Sequence, residues 1–349
     1  GIGFVGSHFS QPFPSIRTSR SVPSPMVGNT ALGLSLDFAH YARAWSLQSE
    51  FTLNQSGSTA FATFLRCQLS ANDVLLLHLR HFSAHNAAPP ARTFQQGVHV
   101  QNEWGGLLGY ETAFGRKVHW QSFLQFDHHS LPTWRAAAPS SGFALQTLFI
   151  YAPHRAQQWS LRYRLTSRQQ TIPQYAPLLQ WVTRQSFRLL YQRNFGDFSL
   201  QSAADASVSR QQLHSALHYG AMLSLRLRYA PQTTWHASGF VSLFSSNSFA
   251  SRLYAYQPQL PGAGAFPSFY GTGCSGVAIV SWTPSRAWSI SARLSLTHHW
   301  RTVTAPSASS PSSPTSASSS VTAAQLSNAS PVSSANYSLH CGLWLRYRF

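Results

Sequence analysis

The sequence predicts an all-β protein: a transmembrane antiparallel up-and-down β-barrel of about 16 strands, with short periplasmic turns and long extracellular loops. Three observations carry that expectation. Charged residues make up only 9% of the 349 residues and aromatics 13%. A soluble domain normally carries charge on about a quarter of its residues, so an ordinary water-facing surface is excluded. Mean hydropathy is only −0.15, and no run approaches the roughly 18–20 apolar residues of a membrane-spanning helix. The aliphatic runs are short, as in Val74 to Leu77. The third observation is alternation. A barrel strand turns every second residue to lipid and the others to a polar interior, so its bulk hydropathy is average.

The alternation can be followed along the chain. Leu32 to Phe38, Trp45 to Leu53, Val118 to Phe126, Trp159 to Leu165 and Trp288 to Leu296 are apolar at every second position. Leu217 to Tyr229 and Tyr337 to Phe349 hold the pattern over a longer span. A helical period would scramble these columns. Strands are expected near 31–41, 44–54, 58–70, 72–83, 104–113, 117–128, 142–152, 157–166, 181–193, 196–207, 214–229, 233–244, 268–283, 286–300 and 335–349. One more near 1–10 makes the number even and puts both termini on the periplasmic side. A soluble sandwich alternates too. Here, however, the strands are long and the apolar face carries Trp and Tyr at strand ends, as a bilayer-spanning strand of about 9–11 residues requires.

Turn lengths segregate. Ala42-Arg43, Ala71, Gly115-Arg116, Pro153 to Arg155, Phe195, Pro231-Gln232 and Pro284-Ser285 are tight. The alternate connections, 84–103, 129–141, 167–180, 245–267 and 301–334, are mostly longer, as on the outer side of an outer-membrane barrel, although two short ones, 55–57 and 208–213, fall on that side too. Ser251 to Tyr256 falls in one of these outer loops, although its composition could pass for a strand. Residues 305–334 are rich in Ser and Pro and hold no charged side chain, so they cannot bury enough apolar surface to order themselves. They read as an extracellular low-complexity loop within a single barrel over 1–349. Cys67, Cys274 and Cys341 form no disulfide framework. Gly1-Ile2-Gly3-Phe4 shows no basic region followed by an apolar one, as expected of a mature chain or of a fragment beginning after other domains.

No chemistry-bearing motif stands up. Gly1 to Gly6 and Gly271 to Gly276 match the dinucleotide pattern G-x-G-x-x-G, but neither has the strand, helix and downstream acid it needs. No cofactor and no catalytic residues are therefore expected, and the chain is read as non-enzymatic. In His128-His129 and His298-His299 the neighbours point to opposite faces of a strand, so neither pair chelates one metal ion. The arginines are more informative. Lys117 is the only lysine, so 24 of the 25 cations are arginine, against 8 acids. Arg66, Arg80, Arg162, Arg164, Arg184, Arg188, Arg226, Arg228, Arg293, Arg346 and Arg348 occupy polar columns. Arginine facing lipid at mid-membrane costs about 2–4 kcal/mol, so these side chains are expected to face the lumen. Asp37, Glu50 and Asp127 fall on inward columns as candidate partners, and Glu103 stands at a strand entrance. Too few acids remain to neutralise the cations, which implies a lumen that favours anions.

Several ordered motifs are similar to a known group. These are Gln101-Asn102-Glu103-Trp104-Gly105 leading to Leu108-Gly109-Tyr110-Glu111, Ala138 to Gly142, Ser251 to Tyr256 followed by Phe269 to Gly273, and the closing Leu343 to Phe349. Over roughly residues 30–349 the chain resembles the C-terminal barrel region of large Bacteroidota outer-membrane proteins labelled helix-hairpin-helix or ComEA-like. Their helix-hairpin-helix region, from which DNA binding would be inferred, is absent here. The resemblance implies a multi-pass protein of the bacterial outer membrane, in contact with lipid and lipopolysaccharide and inserted by the barrel-assembly machinery. The terminal Phe349 resembles the signal that machinery reads.

The functional expectation is a pore or transport-type channel with an Arg-rich, anion-leaning lumen that passes an anionic solute. The alternatives are the membrane part of a nucleic-acid uptake or export machinery, suggested by the resemblance, and a closed structural barrel without transport. Deleting Phe349 should slow insertion while leaving the stability of the inserted protein nearly unchanged. Pulse-chase assembly assays read this directly, and assembly at the normal rate would remove the argument for a terminal signal.

Overall fold

The computed structural model describes residues 1–13, 28–55, 57–84, 101–172, 178–212, 214–231, 234–260, 266–285, 288–301 and 337–347. The strands are β1 (Ile2–Phe13), β2 (Gly28–Tyr41), β3 (Trp45–Asn54), β4 (Thr59–Gln68), β5 (Asp73–Phe82), β6 (Glu103–Phe114), β7 (Val118–His129), β8 (Ser140–His154) and β9 (Gln157–Thr171). They continue as β10 (Leu179–Phe195), β11 (Phe198–Gln211), β12 (His214–Tyr229), β13 (Trp235–Ser246), β14 (Leu253–Tyr254), β15 (Ser268–Phe269), β16 (Gly271–Trp282), β17 (Trp288–Arg301) and β18 (Tyr337–Tyr347). All but β14 and β15 join one 16-stranded sheet in chain order, β1 to β13 and then β16 to β18. The expected fold class is the one observed, an all-β antiparallel up-and-down sheet of 16 strands. The expected pairing of the last strand with the first is not seen: among the described residues the sheet order has β1 and β18 as its two ends.

Contacts divide the chain into two units. One comprises Gly1–Ile150, Arg162–Gln185 and Arg210–Ala216, and the other Tyr151–Leu161, Ser186–Ser209 and Leu217–Phe349. Within the first, register aligns apolar side chains into a row across five strands. Leu47 faces Leu65, which faces Leu77, then Leu108, then Leu124. Within the second, Leu225 faces Val241, then Gly276, Leu296 and Leu339. These rows lie on the outer face, where Leu223 is 61% exposed. Among the described residues nothing covers that face, so its apolar surface suits contact with lipid.

Aromatic side chains cap both ends of the outer face. In the second unit Phe195, Phe198, Tyr229 and Trp235 follow one another in ring contact at the short-turn end. Trp235 faces Trp282 across the ladder. At the opposite end stand the exposed Tyr219, Trp300 and Tyr337. From Tyr219 to Tyr229 an antiparallel strand rises about 34 Å at about 3.4 Å per residue. A tilt of about 40° turns this into about 26 Å, the height of a barrel's apolar band between its aromatic girdles. The tight turns at Gly115 and Gly196 place these residues at φ +66 and +59, the left-handed region that glycine enters without a Cβ clash.

Two details differ from the sequence reading. Strands β8 to β11 outrun their expected ends; β9 continues to Thr171 and β11 to Gln211. There the alternation passes from apolar–polar to wholly polar residues, which an apolar-period count reads as loop although the backbone ladder continues. The segment read as an outer loop, around Ser251 to Tyr256, instead lies on the inner face and forms a two-residue ladder, Leu253 with Phe269 and Tyr254 with Ser268.

With Cys67, Cys274 and Cys341 replaced, single cysteines at positions 226 and 228 should react with a water-soluble maleimide. Those at 223, 225 and 227 should not. The opposite pattern would invert the register, because a one-residue slip exchanges the two faces.

Candidate functional site

The inner face carries the polar columns, and each unit builds its own cluster there. In the first unit Arg80 on β5 and Glu103 at the head of β6 make a buried pair, Nε to Oε1 at 2.7 Å, with side chains 1% and 0% exposed. Asp127 on β7 meets Arg168 on β9 at 3.5 Å and His129 at 3.8 Å. His129 Nδ1 and the Asn102 carbonyl lie 2.8 Å apart. The Asn102 amide ties down the start of the next connection: its Oδ1 accepts from the Leu131 N–H, and its Nδ2 donates to the Leu131 carbonyl. These contacts brace the long-loop end of the sheet.

In the second unit residues 247–260 and 266–270 lie along the inner face. A one-turn 3-10 helix, Phe249–Ser251, begins this inner segment. The Ser251 hydroxyl donates to the Tyr219 carbonyl at 3.0 Å and pairs with Ser246 Oγ at 2.9 Å. Gly220 makes this approach possible, because a Cβ there would stand 2.6 Å from the Ser251 carbonyl oxygen. Burial then alternates. Leu253, Ala255 and Gln257 face the sheet while Tyr254 and Tyr256 are exposed. Leu253, Ala255 and Phe269 pack with Met222, Phe240, Phe244, Val277 and Ile279, the apolar cluster of this unit.

Polar contacts hold the exposed edge. Gln257 Nε2 donates to Ser275 Oγ at 3.0 Å. Arg293 Nε donates to the Pro258 carbonyl at 3.2 Å. Arg188 bridges Asp205, at 2.6 Å, and the Tyr254 carbonyl, at 2.7 Å. The Arg226 guanidinium lies 4.6 Å above the Tyr256 ring centre. Depth can be read from the register rows. Ser275 shares a row with Ser242 and Ser224, and Arg293 shares one with Ile279, Ser238 and Arg228. The segment therefore descends from the long-loop end to the row of Arg228, next to the short-turn end.

The arginines expected to face the lumen are placed as follows. Arg66, Arg162, Arg164 and Arg228 are exposed on the inner face, with Arg66 donating to Gln68 Oε1 at 2.6 Å. Arg80 is buried with Glu103, and Arg188, Arg226 and Arg293 contact the inner segment. Arg346 faces Ser289 in register, and its side chain, Arg348, Phe349 and the 305–334 segment lie outside the described residues. Of the acids, Asp127 meets Arg168, whereas Asp37 and Glu50 stand opposite each other on β2 and β3. Both are exposed; Asp37 lies 3.2 Å from the Gly1 ammonium, and among the described residues neither meets the arginine partner expected of it. His128 bonds Ser141 on one side of β7, and His129 bonds Asn102 on the other. The two glycine motifs lie in β1 and β16.

Sequence reading passed over Arg168, the pairing role of Asp205, and the inner segment. For Arg168 the signal was present: the column Arg162, Arg164, Thr166 runs straight into it. For the segment, the alternation of Arg252, Tyr254 and Tyr256 against Leu253, Ala255 and Gln257 was the available sign.

No protein-family model matches the chain, and no curated protein matches it. Among solved structures the chain is similar to a bacterial polysaccharide outer membrane secretin, at TM-score 0.36 and 9% identity over 85% of this chain and 90% of that one. OmpT, an outer membrane protein of Vibrio cholerae, gives 0.38 and 9% over 85% of each chain. The unliganded ferric citrate transporter FecA gives 0.38 and 10% over 85% of this chain and 51% of that one. At these TM-scores the likeness decides neither fold nor function.

Replacing Glu103 with Gln leaves the Arg80 charge buried without its counter-charge and should cost about 3–5 kcal/mol. Replacing the pair together, Arg80→Met with Glu103→Leu, should cost far less, since an apolar pair carries no desolvation penalty. Urea unfolding midpoints of the lipid-reconstituted variants would separate the two; equal losses would mean that the pair is not a closed buried unit.

Proposed function

We propose that this chain is an outer-membrane β-barrel that admits small anions past a fixed constriction made by residues 247–260 and 266–270. The single observation that carries the reading is the placement of Arg188, Arg226 and Arg293 against an apolar-seated segment on the inner face. Apolar rows between aromatic ends support insertion in lipid. Closing the sheet would bond the two remaining edges, which lipid cannot satisfy. In this reading the short turns are periplasmic and the long connections extracellular. The surplus of 25 Lys and Arg over 8 Asp and Glu supports a positive inner field, which favours anions where water is confined.

A second reading has an observation of its own. The segment's seat is apolar and continuous with the unit's core, which favours a closed structural barrel in which the segment is a plug. One measurement separates the two. In planar bilayers under a potassium chloride gradient, the wild-type protein should conduct, with a reversal potential toward the chloride equilibrium value. Deleting residues 249–268 should raise the conductance. A silent wild type with a conducting deletion variant would establish the plug, and cation-selective currents would overturn the anion-leaning reading.

A further inference from the structure

The second unit has three further features outside the contacts that seat the inner segment. One is a shallow outer-face groove of about 730 Å³ lined by Leu189, Leu223, Leu243 and their neighbours, which any lipid chain would fill. Another is Cys274, which among the described residues has no companion thiol or ligand set beside it. The third is the exposed edge of the inner segment, and it carries an argument.

Tyr256 is 51% exposed and Phe266 68% exposed, and their ring centres lie 5.6 Å apart. These rings belong to the inner segment, on the face that carries the polar columns. Lipid contact does not account for them. Beside them stands the Arg226 guanidinium, its Cζ 4.6 Å from the Tyr256 ring centre. A guanidinium laid flat on a ring directs its N–H donors outward in its own plane, the geometry that receives a carboxylate or phosphate edge-on. Arg228 follows Arg226 in the same inner column, about 7 Å along the strand, and is exposed. On the β13 side of the ladder Arg226 and Arg228 face Phe240 and Ser238, not acids. The site thus offers a two-ring apolar platform flanked by two cations.

We propose that Tyr256 and Phe266, with Arg226 and Arg228, form a binding site for a ring-bearing organic anion, the ring lying on the aromatic pair and the oxyanion on the guanidinium edges. This rests on the anion-leaning reading of the inner face and goes beyond it by naming the solute class. A bare oxyanion would use the arginines and leave the rings exposed to water. A neutral ring would use the platform without the charge.

Equilibrium binding to the folded full-length protein in detergent tests the proposal, with phenyl phosphate, inorganic phosphate and phenol as probes at about 50 mM salt, where screening is modest. Phenyl phosphate should bind about tenfold tighter than inorganic phosphate, and phenol should not bind measurably. Arg226→Gln with Arg228→Gln should weaken phenyl phosphate about tenfold or more. Arg162→Gln with Arg164→Gln, elsewhere on the inner face, should leave it unchanged. Tyr256→Leu should erase the preference for phenyl phosphate over phosphate.

Should any of these variants fail to fold, the wild-type protein still gives an answer. Phenyl phosphate should protect Arg226 and Arg228 from phenylglyoxal, read by mass spectrometry of the modified peptides, while Arg162 and Arg164 stay reactive. Equal binding of the two phosphates, or uniform protection of all inner arginines, would overturn the proposal. Binding is measured without conduction, so a protein that binds phenyl phosphate but passes no current keeps this site and loses the pore, and the converse result loses the site alone.

Discussion

A strand that crosses lipid must bond its backbone to two neighbours and still present an apolar side chain at every second position. In the proposed membrane reading, that constraint organises the described strands. Register carries each apolar residue onto the next, so Leu47, Leu65, Leu77, Leu108 and Leu124 form one row although they lie on five strands. The same register leaves the alternate positions free of lipid. Arginine can be accommodated there in numbers that an ordinary core would reject.

The inner arginines then need partners, and carboxylates are scarce. Arg80 has Glu103 and Arg188 has Asp205. Others are met by backbone carbonyls and rings supplied by the inner segment, as Arg293 is by Pro258 and Arg226 by Tyr256. A carbonyl or a π-face attracts a guanidinium without cancelling its charge, so these contacts hold the arginines in place and are compatible with the anion-leaning reading proposed above. The segment is thereby both anchored by the positive columns and set among them.

The inner face of the second unit also departs from a simple polar rule. Met222, Phe240, Phe244, Val277 and Ile279 point inward, where a wide water-filled interior would leave them wet. Leu253, Ala255 and Phe269 cover them. The apolar inner patch and the segment account for each other: removing either exposes the other to water. The exposed Tyr256 and Phe266 lie on the far side of that seat, which holds them toward the interior.

Much of this was legible from residues in order. Leu217 to Tyr229 alternates so regularly that its faces are assigned without coordinates, and Leu223 and Arg226 lie on the faces the alternation demands. The even strand number followed from counting, and the tight turn at Gly115 from its chemistry. Strand ends such as Thr171 were harder, because a polar ladder leaves no apolar period to count. What the sequence could not settle was the partner of each inner side chain. The Arg188 bond to Tyr254 spans 66 residues, and Asp37 meets Glu50 only because the β2–β3 register sets them opposite. Alternation is a local property of one strand and fixes which face a side chain takes. Contact across the inner face depends on where a distant segment comes to rest, and only the tertiary structure decides that.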